Sequence, residues 1–397
     1  MRWIDQGDPA TEERRLELAR RAAALDPGNL RCQRALFRSL RTAGAFDELR
    51  RRLEDALGRF PGNAELRLEL ARALIDSGRF EAALDAVERA IAADSGCAAA
   101  HRLRYRALML LRRPEEAAAA RQAPAGDPPQ FAEADALALF GGARYGELVA
   151  LCDAHLARQC GHTAATYWKA MALARAGRGG DARAIMSLDR FVAVTTVPAG
   201  DAGAADFRAE LAREIARNPT LAVDLRGKAT RAGLQTRRLR RADAAAVEKL
   251  LVLLKDAVDA YVRRLPEAAD GFVRACPACA SLSAWAVVSG AEGHQVSHFH
   301  AGGWLSGVYY VEAPRGRDGF LGSLVLGGVE GGEPPWGTRE IEPVPGRLVL
   351  FPSYVPHATR PPGIDGRRII VAFDVVPRRG AARRACPASP DRSRAGS

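Results

Sequence analysis

The sequence predicts a multidomain α + β protein, in which an N-terminal α-solenoid precedes a C-terminal double-sheet β-barrel of the jelly-roll kind. Three observations carry this prediction. A helical unit recurs with a period of 34 residues in the first half of the chain. Near residue 190 this rhythm gives way to β-branched and then Pro/Gly-rich sequence. Beyond Ser283, short apolar runs alternate with glycine and proline turns at a density typical of barrels and jelly rolls.

The repeat in the first half is marked by its turns. The tripeptide Pro-Gly-Asn at 27–29 recurs at 61–63, and 95–97 is the next equivalent position. Apolar residues at helical spacing predict helices over 66–76 and 80–92. A single helical pair cannot bury its apolar face, so we expect the pairs to stack as a solenoid.

The helical pattern continues beyond a Pro/Gly break at 122–130. The helical segments predicted after this break are 131–140, 145–158, 166–186, 204–217 and 242–265. The strands predicted in the last part are 285–288, 295–300, 305–311, 323–326, 347–351 and 368–376. We therefore predict a helical repeat domain over 1–186, a β-barrel domain with flanking helices over 187–378, and a disordered basic tail over 379–397.

The charge balance does not favour nucleic-acid binding. The formal net charge is +11, but only four of the 58 basic residues are lysine, so 54 are arginine, an excess typical of coding bias. The last twenty residues alone contribute +5, from six arginines and one aspartate, which leaves about +6 for the other 377 residues. A basic composition without a recognition motif is a weak signal.

Composition also bears on location. No apolar stretch approaches the roughly 20 residues of a membrane-spanning helix. The first eight residues lack the apolar segment of a secretory signal, and seven scattered cysteines form no disulfide framework. We therefore expect a cytoplasmic protein with no membrane partner.

The chemistry is predicted to lie in the barrel. His298 and His300 fall in a strand pattern, where side chains two residues apart share a face and can reach one metal ion. His357 lies 59 residues after His298, and Arg368 opens the next strand. Three ligands on one face leave open positions for a cosubstrate and dioxygen, as a non-haem Fe(II) site requires. Arginine suits an anion clamp because its planar fork pairs with a carboxylate.

Several alternatives remain open at this stage. His294 shares the strand parity of the histidine pair, and Arg367 could replace Arg368 as the clamp. Asp374 ends a strand, which favours a structural role. The single Cys-x-x-Cys at 276–279 lacks a second pair, so we expect neither a zinc site nor a redox role. Trp285 and Trp304 are expected in the core.

Two resemblances join these patterns to known families. The 34-residue unit, with small residues at Ala71, Ala83 and Ala90, resembles the tetratricopeptide repeat (TPR), best over 64–97. The segments 298–311, 346–357 and 368–374 resemble the 2-oxoglutarate/Fe(II) oxygenases that carry TPR repeats ahead of the catalytic barrel. This second resemblance covers about 190–377.

The oxygenase resemblance implies a double-stranded β-helix with ferrous iron and 2-oxoglutarate as cofactors. His298, His300 and His357 would bind iron, and Arg368 would pair with the distal carboxylate of 2-oxoglutarate. Tyr309 or Tyr310 would line the pocket and donate a hydrogen bond to the cosubstrate. Most of the superfamily has Asp or Glu at the position of His300, so three neutral histidines leave this site one negative charge short.

The expected function is hydroxylation of a substrate by dioxygen, with decarboxylation of 2-oxoglutarate to succinate and ascorbate as a supporting reductant. The TPR region points to a protein or peptide partner, by analogy only. The rival interpretation is a non-catalytic TPR adaptor whose barrel merely binds metal.

Overall fold

The computed structural model describes most of the chain and forms two compact units. The described residues are 1–4, 9–43, 45–111, 113, 116–117, 131, 133–197, 203–223, 229–240, 244–266, 270–313, 320–329, 332–363 and 367–378. One unit comprises Gly7–Gln130, and the other comprises Met1–Gln6 together with Phe131–Ser397. The predicted break at 122–130 and the predicted tail at 379–397 lie outside the described residues.

The unit Gly7–Gln130 is a helical repeat. Its helices are α1 (Pro9–Leu25), α2 (Leu30–Thr42), α3 (Phe46–Arg59), α4 (Ala64–Asp76), α5 (Phe80–Ala93) and α6 (Ala98–Leu110). Asn29 and Asn63, which are 34 residues apart, each cap the following helix by accepting backbone N–H groups from its first turn. Apolar side chains between successive helices are buried, which confirms the predicted repeat.

The second unit begins with further helices. These are α7 (Glu133–Gly141), α8 (Tyr145–Arg158), α9 (Thr163–Arg175), α10 (Gly179–Met186) and α11 (Leu188–Phe191). Trp168 and Met186 belong to the same buried cluster as Trp304 and Leu305 of the sheet region. The Tyr354 hydroxyl also donates to the Ile185 carbonyl at 3.0 Å. Apart from Met1–Gln6, this compact unit therefore consists of residues from Phe131 onward, ahead of the boundary predicted at 186/187, because these helices share one core with the strands.

Three more helices flank the sheet: α12 (Ala204–Ala216), α13 (Ala245–Arg264) and α14 (Gly271–Arg274). The first two agree with the helices predicted over 204–217 and 242–265. Within the described part of the chain, no helix is long and apolar enough to cross a membrane.

The strands form two sheets. They are β1 (Arg2–Trp3), β2 (Ala193–Thr196), β3 (Ala222–Val223), β4 (Thr230–Gln235), β5 (Cys279–Gln295), β6 (Leu305–Glu312), β7 (Leu324–Leu326), β8 (Arg339–Ile341), β9 (Arg347–Pro352), β10 (His357–Thr359) and β11 (Arg368–Pro377). The large sheet has the order β2-β9-β6-β11-β5-β4-β3, with β1 parallel to β5, and the small sheet has the order β10-β7-β8. Two sheets confirm the predicted fold class.

The register of β11 sets which residues share a face. Arg368 lies opposite Ser289 of β5, and Asp374 lies opposite both Ser283 of β5 and Ser306 of β6. Alternate residues of a strand point to the same face, so Arg368 and Asp374 are on one face of the sheet. The Arg368 guanidinium hydrogen-bonds Thr359 of β10, so this face is turned towards the small sheet.

Candidate metal centre

Three histidines meet between the two sheets. His298 and His357 exchange two backbone hydrogen bonds, with N···O distances of 3.0 and 2.9 Å, and the His300 N–H donates to the Ser353 carbonyl at 3.0 Å. The ring centroids are 4.3 to 5.0 Å apart. One ring nitrogen from each histidine lies within 4.8 Å of the others. The sequence prediction that these three side chains converge therefore agrees with the geometry.

The reason for the convergence differs from the prediction. The strand predicted over 295–300 ends at Gln295, and His298 lies in an isolated bridge while His300 follows it in irregular backbone. Strand alternation therefore does not align His298 with His300. Backbone hydrogen bonds to the segment 353–357 hold both residues instead.

Hydrogen bonds fix the orientation of each ring. His298 Nδ1 lies 2.8 Å from the Val296 carbonyl, and His357 Nδ1 lies 3.1 Å from the Val355 carbonyl. His300 Nδ1 lies 2.5 Å from Asp374 Oδ1. A carbonyl or carboxylate oxygen only accepts, so Nδ1 carries a proton in all three rings, and in a neutral ring Nε2 then keeps its lone pair. This is the tautomer that a metal ligand needs.

Asp374 is the residue whose role the sequence reasoning missed. We expected a structural residue at a strand end, yet its Oδ1 accepts from His300 and from the Ser306 hydroxyl at 2.7 Å. Ser306 and Ser353 hydroxyls are 2.8 Å apart and complete this buried network. The sequence did contain one signal: Asp374 is six residues after Arg368, and an even spacing along a strand places both side chains on the same face. The carboxylate of Asp374 lies directly against the His300 ring.

Burial keeps the rings of His298 and His357 neutral. Burial, followed by the proximity of His300, lowers the pKa of His298 from 6.5 to about 4. Burial, followed by the neighbouring His298 and His300, lowers the pKa of His357 well below its ordinary value. A neutral imidazole is the form that ligates metal, so protons do not compete for these two rings at neutral pH.

A cavity of about 800 Å³ opens beside the histidines. His298, His300 and Asp374 lie on its wall together with Trp285 and Phe299. Trp285, which was predicted in the core, is only partly buried, and its ring centroid is 5.6 Å from that of His300. The prediction for Trp304 is met, since it is 4% exposed.

The helical segment of this unit supports the cavity wall. The ring of Phe299, between the two histidines, stacks on Tyr167 of α9 with a centroid distance of 4.2 Å. The Thr163 hydroxyl of the same helix donates to the Gly303 carbonyl at 2.6 Å. The backbone around His298 and His300 is therefore braced by helix as well as by sheet.

Arg368 is fully buried on the same sheet face. Its terminal nitrogens donate to the Gly322 and Arg360 carbonyls and to the hydroxyls of Ser289 and Thr359, at 2.8 to 3.3 Å. Its Nε has no hydrogen-bond partner among the residues that the structure describes, which is rare for a buried donor. Arg367, the alternative clamp, is exposed and pairs with Glu312 at 2.6 Å. Of the two arginines, Arg368 alone points inward.

The two candidate tyrosines lie on opposite faces. Tyr310 is the cross-strand neighbour of Ile370, so it shares the face of Arg368. Burial raises the pKa of Tyr310 to about 12, against the opposing effect of the Arg368 charge. Tyr309 points to the other face, where burial raises its pKa and the charge of Arg208 of α12 opposes that shift. Both hydroxyls are buried without a hydrogen-bond partner in the described part of the chain, but only that of Tyr310 is on the side of the histidines.

The remaining sequence candidates stay apart from the cluster. His294 Nδ1 contacts the Glu292 carbonyl at 2.9 Å, and this residue is not in the histidine group. Cys276 and Cys279 are free thiols, and burial raises the pKa of Cys276 to about 11, so a reactive thiolate is disfavoured there.

Comparisons with known families agree with both resemblances. Residues 283–374 match the model of the family described as "Putative 2OG-Fe(II) oxygenase", and residues 40–107 match a tetratricopeptide repeat model. The first match contains the three histidines and Arg368. The resemblance drawn from the sequence is thereby confirmed. No curated protein is similar enough to the chain to count as a match.

Solved structures give weaker likenesses. The chain is similar to a prolyl-4-hydroxylase from Pseudomonas putida (TM-score 0.36, 17% identity, 50% of this chain and 100% of that chain). It is similar to a Trichoplax adhaerens prolyl hydroxylase in complex with a hypoxia inducible factor peptide fragment (0.34, 15%, 51% and 92%). It is also similar to a tetratricopeptide repeat protein from Parabacteroides merdae (0.38, 15%, 45% and 72%).

The low pKa of His298 predicts acid sensitivity of the metal-free protein. Unfolded, this histidine takes up its proton near pH 6.5, whereas folded it does so only near pH 4. Falling pH in that window therefore favours the unfolded chain, by about 1–3 kcal/mol. Urea denaturation of chelator-treated protein at pH 7, 6 and 5 measures this loss by tryptophan fluorescence, because all five tryptophans lie in the second unit.

The control for this experiment is His294→Gln, which should keep the pH dependence of the original protein. His298→Gln should make it shallower, with the contribution of His357 remaining. Equal slopes for the two variants would show that His298 is not buried in its neutral form.

Proposed function

Because the chain combines tetratricopeptide repeats with the domain of a 2-oxoglutarate-dependent dioxygenase, we propose that it hydroxylates a protein or peptide substrate at the histidine cluster. His298, His300 and His357 are the proposed ligands of ferrous iron. Ferrous iron bound there would couple the oxidative decarboxylation of 2-oxoglutarate, to succinate and CO2, to hydroxylation of a substrate C–H bond by dioxygen. The observation that carries the proposal is the common tautomer of the three rings, each with Nδ1 engaged and Nε2 left for a metal.

The donor set fits the metal. Imidazole nitrogen suits iron, and three protein ligands leave coordination positions for cosubstrate and dioxygen. A metal-bound histidine usually donates its second N–H to a carboxylate or a carbonyl, and all three histidines do so here. Asp374 would hold the proton on His300 Nδ1 and make the ring a stronger ligand. Its charge would partly replace the carboxylate ligand that this chain lacks.

The surroundings of Arg368 fit the cosubstrate. Its buried Nε and the Tyr310 hydroxyl are both donors without an acceptor among the described residues, and a carboxylate supplies acceptors for both. The hydroxyls of Ser289 and Thr359, already within reach of Arg368, would add further hydrogen bonds. We therefore assign the distal carboxylate of 2-oxoglutarate to Arg368 and Tyr310. Tyr309 points away from this face and is not included.

The repeats support a protein or peptide substrate. Tetratricopeptide repeats indicate protein interaction, and the cavity beside His298 and His300 is within the size range of ligand sites. The apolar rings of Trp285 and Phe299 on its wall would exclude water from the reacting carbon.

The first prediction from the proposed function tests the role of the metal in 2-oxoglutarate binding. We expect 2-oxoglutarate binding to require Fe(II), or Mn(II) under anaerobic conditions, and to be lost in His298→Ala because one of three ligands is removed. Titration calorimetry measures the binding, and succinate release with Fe(II) and ascorbate measures turnover once a substrate is found. His294→Ala is the matched control and should bind normally. Metal-independent 2-oxoglutarate binding, or normal binding by His298→Ala, would contradict the proposal.

The second prediction concerns the clamp. Arg368→Lys keeps the charge but loses the planar fork, and Arg368→Ala loses both, so 2-oxoglutarate affinity should fall by at least about thirtyfold in the alanine variant. Metal affinity should stay unchanged, since the guanidinium is not a ligand. Arg367→Ala, whose partner is the exposed Glu312, should behave as the unmodified protein. Unchanged 2-oxoglutarate affinity in a folded Arg368 variant would rule out the clamp.

The third prediction concerns the charge beside His300. Asp374→Asn keeps the size of the side chain but removes the negative charge, and loss of such a partner costs about 10–100-fold in metal affinity. Competition with a fluorescent chelator measures that affinity for Mn(II) or Co(II). A folded Asp374→Asn protein with unchanged metal affinity would show that the carboxylate serves only the fold.

A further inference from the structure

Two glutamines line the cavity beside the histidines and are almost fully buried. Gln235 ends β4 and Gln295 ends β5, and each is only 7% exposed. Both border the same space as His298 and His300. A ligand that reaches these histidines through the cavity therefore lies in a space that also contacts the two glutamines.

Gln235 is on the face of the large sheet that carries the site. It is the cross-strand neighbour of Val287, which is itself the neighbour of Ile370 in β11. Alternate residues of β11 share a face, so Gln235 is on the same side as Arg368. Its Oε1 accepts from the Thr230 hydroxyl at 3.2 Å. Its Nε2 has no acceptor among the residues that the structure describes, so two N–H donors remain.

Gln295 is held beside this pair by its backbone. It lies opposite Thr230 in the register of β4 and β5, so the two side chains share a face. Its backbone N–H donates to the Thr359 hydroxyl at 2.8 Å, which fixes the Cα position. Neither end of its side-chain amide forms a hydrogen bond with a described residue. Gln235, Thr230 and Gln295 therefore form a continuous polar strip on the cavity wall.

The free groups of this strip define the chemistry that fits it. A buried amide without partners is costly, and most buried polar groups in proteins are hydrogen-bonded. Both glutamines offer N–H donors, and the side-chain carbonyl of Gln295 offers an acceptor. A carboxylate has no donor and would leave that carbonyl unsatisfied, whereas an amide supplies a carbonyl and at least one N–H. The strip is uncharged, which also matches a neutral ligand group.

We propose that Gln235 and Gln295 bind an amide group of the substrate, either a main-chain peptide group or the side chain of an Asn or Gln residue. This inference rests on the proposed function, since it names a group of the peptide substrate at the same site. The bound amide would hold a neighbouring carbon near the histidines. The two glutamines are thus specificity residues, separate from the buried Arg368, which does not line the cavity.

The test uses the full chain loaded with Mn(II) and 2-oxoglutarate, which binds without turning over. The probe is a degenerate decapeptide library, and the most strongly retained peptide is identified by mass spectrometry and resynthesised. In one series each peptide bond is replaced in turn by an ester, which removes the N–H donor. In a second series each Asn or Gln of the peptide is replaced by Leu or Met. Titration calorimetry measures the affinity of every peptide.

One replacement should weaken binding by about fivefold, the effect of one neutral hydrogen bond. An ester with this effect identifies a main-chain amide, and a side-chain replacement identifies an Asn or Gln. Gln235→Met with Gln295→Met keeps both side-chain lengths but removes their hydrogen bonds, so the original peptide should bind at least about fivefold more weakly. The critical replacement should have no further effect in this double variant, as expected for partners in one interaction. Gln159→Met, at an exposed position outside the cavity, is the matched control and should bind normally.

A stability measurement separates this role from a purely structural one. Gln295→Met removes an amide that no described residue binds, so the urea midpoint of the substrate-free protein should stay unchanged or rise. A glutamine that serves the fold would lower the midpoint when replaced. A lower midpoint would therefore overturn the assignment of Gln295.

Several binding results would also overturn the inference. They are retention of no peptide by the loaded chain, a retained peptide that no replacement weakens, unchanged peptide affinity in the double variant, and a replacement that still weakens binding fully in that variant. A fall in the 2-oxoglutarate affinity of the double variant would mean that the glutamines hold the cosubstrate instead. Failure of the proposed function itself appears earlier and separately, as absence of Mn(II) or 2-oxoglutarate binding before any peptide is added.

Discussion

The candidate site depends on two backbone hydrogen bonds between His298 and His357. They join residues 59 positions apart in the chain, one just beyond β5 and the other at the start of β10. Since β5 belongs to the large sheet and β10 to the small one, the bridge also ties the two sheets together at the histidines. His300 is added by one more backbone bond, to Ser353. Backbone pairing of this kind fixes Cα positions, and the Nδ1 hydrogen bonds then fix the rings.

Strand β11 supplies the other two polar residues of the candidate site, Arg368 and Asp374. It lies between β5 and β6, so its register is set from both sides, and Arg368 and Asp374 cannot slip relative to the histidines. Both are costly to bury without partners. Asp374 has His300 and Ser306, whereas one donor of Arg368, its Nε, has no partner among the described residues. Asp374 thus orients His300, a proposed metal ligand, whereas Arg368 has an N–H for which a bound carboxylate would supply the acceptor.

Much of this arrangement was predictable because the information is local or periodic. The helical repeat follows from a 34-residue period, and the three histidines with Arg368 follow from motif spacing. The length of β5 was not predictable, since Gly290 and Gly293 suggest a turn. The strand continues because Gly293 has no side chain, so the Ala232 carbonyl of β4 can approach it closely. A side chain at this position would collide with that carbonyl. The bond between Asp374 and His300 joins residues 74 apart, so only the folded register reveals it.

The placement of helices α7 to α11 has a consequence for how such proteins can be recombined. Their apolar faces are buried with the strands in one cluster, and Tyr167 stacks directly on Phe299 beside the histidines. A chimaera joined near residue 186 would sever this core and expose its apolar surface. Junctions near residues 6 and 130 follow the division between compact units and leave the barrel with β1 and with the helices it packs against. The exchangeable module is Gly7–Gln130, while the later helices stay with the barrel.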